Sequence, residues 1–567
     1  MFKFNLNNLM IFFLMSFYLF ILNIMFWFMF LLFFILNYKF IIELTLINLN
    51  SMKMILFLYF DWMTMIFIST IMLISSIVIL YSLDYMKKNK FMKRFMFLIF
   101  SFILSMIFLI LSPNMISILI GWDGLGLSSY CLVAYYQSKK SFNSSMNTIL
   151  MNRIGDIMII SSISLMTSFG SWNFLFLNNN LNLNLILILI FIAATTKSAQ
   201  IPFSTWLPMA MAAPTPVSSL VHSSTLVTAG VYILIRFNFL INLNLMYMFM
   251  LISMSTMFMA GLSANMEFDI KKIIALSTLS QLSLMIIMIC LNCPKMAFFH
   301  LITHAMFKSL MFLCSGIMIH NYFNYQDIRY MSFMNLNIPL INLIFNSSSF
   351  TLCGFPFLSG YYSKDLIIEV FLINNFNYLM FFILYISMGL TMSYTFRLIY
   401  FISLKEKKIK IFLFYFSFNF MNYSIFILFI FSLFYGSILN WLILSKMNLI
   451  FLPKKIKLLI FLFLILGLIM GLMMPYISFN FFIKIKNMFY FMKYMWFMPF
   501  LMKKNKLNVL NLTDKIIFFS DSSWMEFMTF NLILYILNLM IYKKNWSLIL
   551  FLMFMYMSFI IIIIMNF

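Results

Sequence analysis

Apolar runs of membrane-spanning length recur almost from end to end of this 567-residue chain, separated by short polar stretches. A helix needs about 20 such residues to cross a hydrocarbon core. In lipid the backbone must satisfy its own hydrogen bonds, which leaves helices or closed barrels, and the alternation of barrel strands is not seen. The expected fold is therefore all-α, a polytopic membrane protein of about 15 transmembrane helices. Composition closes the soluble alternative, because 9% of residues are charged and 64% hydrophobic, against roughly 25% charged in soluble domains.

Residues 9–36 have the apolarity of a signal peptide. Their length and the lack of a small-residue cleavage site make them a retained first span, and the lack of an amphipathic, Arg-rich presequence points to synthesis beside the membrane. The 75 Phe and 56 Met, against 14 Gly and 11 Pro, match A/T-rich codons with ATA read as Met, the habit of an organelle genome. The formal charge of +23 resides in loops such as Lys87 to Arg94, Lys139–Lys140, Lys405 to Lys410 and Lys503 to Lys506. These read as interfacial loops beside anionic lipid, not as a nucleic-acid surface. By span count they fall on both parities, so they do not orient the chain. Cys131, Cys290, Cys293, Cys314 and Cys353 lie in or beside apolar runs; the lone C-x-x-C at Cys290 reads as buried thiols, with a metal site the alternative.

Five zones are expected: N-terminal spans over 1–112, a core over 113–403 holding nearly all the intramembrane charge, further spans over 404–512, an amphipathic segment over 513–545 and a final anchor over 546–567. The stretch from Asp514 to Lys544 mixes Asp514, Asp521, Glu526 and Asn531 with an apolar face. As a helix it would reach about 45 Å and suit a membrane surface better than a crossing.

Function is sought where charge is expensive. An ionisable side chain at membrane depth is kept for a pathway, a pairing or a switch. Asp123 sits in Gly121-Trp122-Asp123-Gly124-Leu125-Gly126, and Lys197 lies deep in the run from Leu183 to Phe203. A Lys whose proton affinity a movable acid tunes is a proton switch; the bland alternatives are a satisfied Asp and a snorkelling Lys. Ala213-Pro214-Thr215-Pro216, followed by His222, places two prolines in what would otherwise be one span. Gly354-Phe355-Pro356, followed by Lys364 and Asp365, repeats the pattern. Both places predict discontinuous helices, which membranes tolerate where they line a polar cavity. Between them come Asp269 to Lys272, with Lys271, and then His300, His304 and Lys308 at spacings of four, a titratable ladder on one helix face. Haem or metal ligation by His300 and His304 is the rival reading, with His222 and His320 as the only other histidines.

Together these motifs resemble the subunit 5 family of mitochondrial NADH dehydrogenase, the distal antiporter-like membrane subunits of respiratory complex I. The resemblance rests on G-W-D-G-L-G at Gly121, N-R-I-G-D at Asn152, T-K-S-A-Q-I-P at Thr196, A-A-P-T-P-V-S-S-L-V-H from Ala212, E-F-D-I-K-K from Glu267, F-H-L-I-T-H-A-M-F-K from Phe299 and Y-Y-S-K-D ending at Asp365. It runs from about residue 55 to 403 and weakens in the tail.

The resemblance implies an acid and a Lys forming one half-channel, here Asp123 and Lys197. The family usually has Glu where this chain has Asp123, which changes reach. It also implies His222 at the broken helix, Lys271 with His300, His304 and Lys308 as the central connection, and Lys364 as the distal switch. Arg153 and Asp156 match a charged pair beside the first half-channel, with a structural role the alternative. It further implies a lateral helix that braces other membrane-arm subunits, especially the adjacent antiporter-like one. The location would be the mitochondrial inner membrane, and no cofactor would lie in this chain, with NADH, FMN, iron–sulfur clusters and ubiquinone served by other subunits. The expected function is proton translocation driven by quinone reduction elsewhere; a stand-alone cation/proton antiporter and a purely structural subunit are the alternatives.

Overall fold

The computed structural model describes residues 6–49, 52–87, 89–174, 183–240, 243–332, 334, 338–373, 378–405, 420–444, 451–476 and 486–525, with a few single residues beyond. The chain forms two compact units, Met1–Trp496 and Phe497–Phe567.

Among the described residues, twelve helices are long and apolar enough to cross a membrane, with Asn184–Lys197 as a shorter apolar helix. The expected number was about 15. Part of the difference is physical: two of the expected spans are built from shorter pieces that no length criterion recognises. The first unit begins with α1 (Leu6–Leu36) and an element that the sequence reading missed, an antiparallel hairpin of β1 (Phe40–Leu49) and β2 (Met52–Phe60). Its residues are as apolar as a span, so hydropathy alone does not separate them from helix.

Then follow α2 (Trp62–Tyr85), α3 (Met92–Leu111), α4 (Met115–Val133) and α5 (Lys139–Met166). Asp61 starts α2 with a reciprocal cap, accepting from the Thr64 amide at 2.9 Å while its own amide donates to Thr64 Oγ1. Arg236 pins the same carboxylate with two hydrogen bonds of 2.6 and 2.8 Å. Burial raises the proton affinity of Asp61, but the Arg236 charge and the bonds from Arg236 and Thr64 prevail and hold it below the ordinary carboxylate range.

The segment after α6 (Leu183–Lys197) does not continue as helix. A short α7 (Trp206–Ala210) intervenes before Thr215–Val217 (α8), a π-helical segment Ser218–Thr225 and α9 (Leu226–Arg236). The prolines therefore do not cut a helix at Pro214–Pro216, as expected; they start one, because Pro at the first turn sacrifices no bonded N–H. The break lies upstream, from Ser198 to Pro214. After α10 (Leu243–Met266), α11 (Ile270–Cys290) and α12 (Pro294–Asn321), the second break appears where expected. Here α13 (Pro339–Cys353) ends on Gly354 at φ +85°, and the chain resumes as a π-helical turn, Tyr361–Asp365, and α14 (Leu366–Ile373). The first unit closes with α15 (Tyr378–Ile399), α16 (Phe420–Ile443), α17 (Lys454–Met473) and the short α18 (Lys486–Lys493). Helices α15 and α17 touch through small residues: a Cβ on Gly467 would stand 2.7 Å from the Gly389 carbonyl carbon, so only glycine permits the approach.

The broken segments also reset the count of crossings. Lys197 to Arg236 completes a single return, because Arg236 meets Asp61 at the end from which α2 departs. Counted so, the loops holding Lys87, Lys139–Lys140, Asp269 and Lys405 share one end of the bundle, and a backbone bridge between Asp269 and Asp327 ties part of it. The other end holds the hairpin base and the Asn114–Asn173 bridge. The loops holding Lys87, Lys139–Lys140 and Lys405 thus lie on one side, contrary to the parity expected from sequence, whereas Lys454, Lys455 and Lys457 at the start of α17 stand at the other end, where Lys457 meets Glu369 at 3.1 Å.

In the second unit, α19 (Met498–Ile517) passes into a π-helical segment, Phe518–Met525. The amphipathic helix thus begins about four turns before Asp514. Most of the remainder of the expected helix to Lys544, and of the anchor over 546–567, lies outside the described residues.

Candidate functional site

The first cluster forms where α6 stops. Lys197 is its last residue and is wholly buried. Its ammonium donates to the Trp122 carbonyl at 3.1 Å and stands 4.8 Å from the centre of the Trp122 ring, so backbone dipole and ring face replace part of its hydration. The Trp206 indole donates to the Thr196 carbonyl at 2.9 Å, closing the exposed end of α6. Buried Asn152 of α5 has no partner on either amide atom.

Asp123 does not meet Lys197 in an ion pair. It faces Arg153 at 3.5 Å, and Arg153 meets Asp156 at 3.1 Å. The Asp123 side chain is 34% exposed and that of Asp156 only 8%, which reverses their expected ranks: Asp123 stands on the flank of the bundle, and Asp156 is the buried acid. Both carboxylates act electrostatically on Lys197, Asp156 the more strongly. Position is the reason, since Asp123 faces Arg153 on the flank of the bundle while Asp156 lies inside it.

Next comes the π-helical segment with His222. A widened turn leaves carbonyls poorly satisfied, and its Ser and Thr side chains take them: Ser224 and Thr225 both donate to the Leu220 carbonyl, at 2.9 and 2.7 Å, and Ser223 to that of Ser219. His222 is buried with neither nitrogen bonded, its ring 6.1 Å from Trp206. Lys271, at the start of α11, reaches the Ala213 carbonyl at 3.1 Å. That carbonyl is free for it because the segment before α8 is not helical. Lys272 turns away to pair with Asp269 at 2.7 Å.

The second cluster is built on α12. His300, His304 and Lys308 are all buried on one face, the two imidazoles 6.2 Å apart. His300 Nδ1 lies 2.9 Å from Ser363 Oγ and its Nε2 3.2 Å from Gln281 Oε1. An amide oxygen only accepts, so this pairing places a proton on Nε2. His304 has no partner. Lys308 donates to Ser277 Oγ at 2.5 Å. Lys364 donates to Thr391 Oγ1 at 2.9 Å and to the Leu352 carbonyl at 3.4 Å, and Cys353 Sγ meets Thr395 Oγ1 at 2.9 Å. Asp365 follows Lys364 in the same π-helical turn, beside Gly354. Among the described residues no carboxylate lies within ion-pair distance of Lys308 or Lys364. Among the described residues, no group of three or more His, Cys, Asp or Glu gathers as a metal site would require.

Sequence reasoning missed Trp122, Ser277, Gln281, Ser363 and Thr391, each a direct partner of a titratable side chain. Ser277 and Gln281 did carry a signal, being four apart and so on one face of α11, within its polar middle from Ser277 to Ser283. A further buried cation, Arg397, also went unread. It donates to the Glu267 carbonyl at 2.7 Å and to those of Ala264 and Asn265, capping the end of α10.

Three family models match in succession: the N-terminal domain of complex I chain 5 over residues 46–96, the NADH:quinone oxidoreductase/Mrp antiporter membrane domain over 112–391, and the C-terminal domain of NADH dehydrogenase subunit 5 over 394–567. The NADH-ubiquinone oxidoreductase chain 5 of Aedes aegypti is 45% identical over 87% of this chain and 85% of its own length. That of Locusta migratoria is 47% identical over 80% and 81%. Among solved structures, a chain of the Mrp complex from a Dietzia species has a TM-score of 0.67 at 20% identity. The match covers 79% of this chain and about half, 52%, of that one. An archaeal membrane-bound sulfane sulfur reductase gives 0.62 at 19%. These structures share the fold. The insect relatives are matched over most of both sequences, and the chain belongs to the NADH-ubiquinone oxidoreductase chain 5 family.

Proposed function

We propose that this chain translocates protons as a membrane-arm subunit of NADH:ubiquinone oxidoreductase, through Asp123, Asp156, Lys197, His222, Lys271, His300, His304, Lys308, Lys364 and Asp365, with Arg153 holding the two acids of the first cluster. The observation that carries this reading is the string of buried cations and imidazoles along α12 and both broken segments, with the lysines and His300 bonded to neutral hydroxyls, amides and carbonyls. Stability gives little reason to keep such groups, since each must be desolvated. At both breaks a Lys stands where helical bonding is interrupted, so its surroundings can rearrange with little loss of regular backbone bonding.

Redox energy would arrive as changes in charge pairing, and NADH, FMN, iron–sulfur clusters and ubiquinone would be handled by other subunits. The translocating core would occupy 113–403. The half-exposed Asp123–Arg153 pair on the bundle flank suits a contact with the adjacent antiporter-like subunit, since two charges facing lipid would be costly. The amphipathic α19 and its continuation would brace other subunits of the arm. The setting is the mitochondrial inner membrane, with the end bearing Lys87, Lys139–Lys140 and Lys405 facing the compartment of synthesis.

The test is proton uptake per NADH oxidised in vesicles reconstituted with complex carrying Lys197→Met, Lys308→Met or Lys364→Met, with complex content measured alongside. Loss of uptake at normal content supports the pathway. Unchanged rate and stoichiometry in all three variants would reduce the chain to a structural subunit.

A further inference from the structure

Asn152 is buried to 2% exposure with neither amide atom hydrogen-bonded, a costly arrangement that the path described so far does not use. It stands on α5 one turn before Asp156, and that spacing puts both on the face that the bundle buries. Opposite it on α4 is buried Gly126. A Cβ on Gly126 would lie 3.8 Å from Lys197 Nζ and 4.0 Å from Asn152 Nδ2, and within 4 Å of no other side chain among the described residues. A methyl would therefore fit there in ordinary contact. The other glycines of the same motif differ: a Cβ on Gly121 would stand 2.7 Å from the Leu109 amide nitrogen and one on Gly124 2.9 Å from Ser105 Cβ, so those two serve close packing. Gly126 instead leaves room beside two polar groups, whose nitrogens are within reach of one or two waters at about 2.8 Å per hydrogen bond.

We propose that Gly126 and Asn152 form a water site beside Lys197, in which the amide of Asn152 positions water for the ammonium and for the neutral amine alike. An ammonium has three protons to donate, and the Trp122 carbonyl takes one. While Lys197 is charged, water accepts from it and donates to the amide oxygen of Asn152. Once Lys197 is neutral, the amine presents a lone pair, and the same water donates to it and accepts from the amide NH2. Turning the amide over exchanges the two roles, and no hydrogen bond holds it in either orientation. A buried water commonly makes about three such bonds to groups otherwise unsatisfied, and in low surrounding polarity each one matters. No covalent bond changes at Asn152, so it is a positioning residue.

The inference rests on the pathway reading above, and the experiment separates the two. Complexes carrying Gly126→Ala, Gly126→Ser, Asn152→Leu, Gly126→Ala with Asn152→Leu, and Lys197→Met are reconstituted, and proton uptake is measured relative to complex content. Alanine fills the place of the water with a methyl, and leucine keeps the size of Asn152 without its polarity. Each should lower uptake about threefold or more, the lower range for coupled neighbours, and the pair together should fall no further than the worse single variant. Serine has nearly the bulk of alanine but brings a hydroxyl within reach of both groups, so Gly126→Ser should retain most of the uptake that Gly126→Ala loses. Equal losses in the alanine and serine variants, or additive losses in the pair, would show crowding and overturn the water site. Full uptake in Gly126→Ala and Asn152→Leu with Lys197→Met impaired would overturn it and leave the pathway standing. Full uptake in Lys197→Met would overturn the pathway at this cluster.

Discussion

The two clusters use the same kind of broken helix but compensate charge differently. Around Lys197 the neighbours include two carboxylates and a guanidinium, with Asp156 and Asp123 both within 4 Å of Arg153. Around Lys308 and Lys364 the direct partners are hydroxyls and a carbonyl. A cation in the first cluster has opposite charge close by; in the second the direct partners are dipoles, with Asp365 acting on Lys364 from the next position in its turn. The first cluster is therefore suited to holding an ion pair and the second to passing a proton on.

The sharpest way to break that contrast is to install a cation that cannot discharge. Arginine keeps its proton in either place. Lys308→Arg should therefore prevent assembly, because an obligatory buried charge without a counter-ion costs about 3 kcal/mol or more. Lys197→Arg, beside carboxylates, should assemble and fail only in pumping. Complex content and proton uptake of the two variants, measured together, decide it; equal assembly would remove the distinction.

Within the first cluster, Asp156→Asn should lower pumping by on the order of tenfold, about 1.4 kcal/mol, and Asp123→Asn by less. The reason is burial: Asp156 acts on Lys197 from inside the bundle, whereas solvent or a partner can screen the flank-facing Asp123. The reverse order in proton uptake per NADH would restore Asp123 as the principal acid.

A smaller effect concerns the frame shared by both clusters. Gly467→Ala should drive α15 and α17 apart and cost about 1–3 kcal/mol, read as a lower melting temperature of the purified complex. Because α15 supplies Thr391, Lys364 should feel the displacement and Lys197 should not. Retained stability would show that α17 gives way freely.

The smallest expected effect lies at Asp61, outside both clusters. Its folded proton affinity is below the ordinary range because Arg236 and Thr64 outweigh burial. A depressed carboxylate contributes stability that is complete above its unfolded value and lost as pH falls through its folded value. Thermal melts on the acid side of ~4 should lose this contribution, and Asp61→Asn should flatten that part of the profile. An unchanged acid limb would mean that other carboxylates dominate it.

Membrane class and most of the buried titratable residues were legible in the sequence, because burying charge in lipid is costly enough that most such residues stand out. The ladder of His300, His304 and Lys308 needed only the helical period. Partners were less legible. Asp123 and Lys197 sit at similar apparent depth in their runs, but rotation about the axis of α4 turns Asp123 to the flank, and no one-dimensional pattern records rotation among helices that are apolar all round. The hairpin over Phe40–Phe60 escaped for a related reason, since apolar content without a clear period does not distinguish strand from helix. Proline marked both breaks, yet only tertiary packing decided that Pro216 begins a helix, that Lys271 reaches back to Ala213, and that Ser363 and Gln281 meet His300. Sequence by itself determined which groups are too expensive to be there without cause. Their pairing was decided by the tertiary structure, because hydrogen bonds act over about 3 Å between helices distant in sequence.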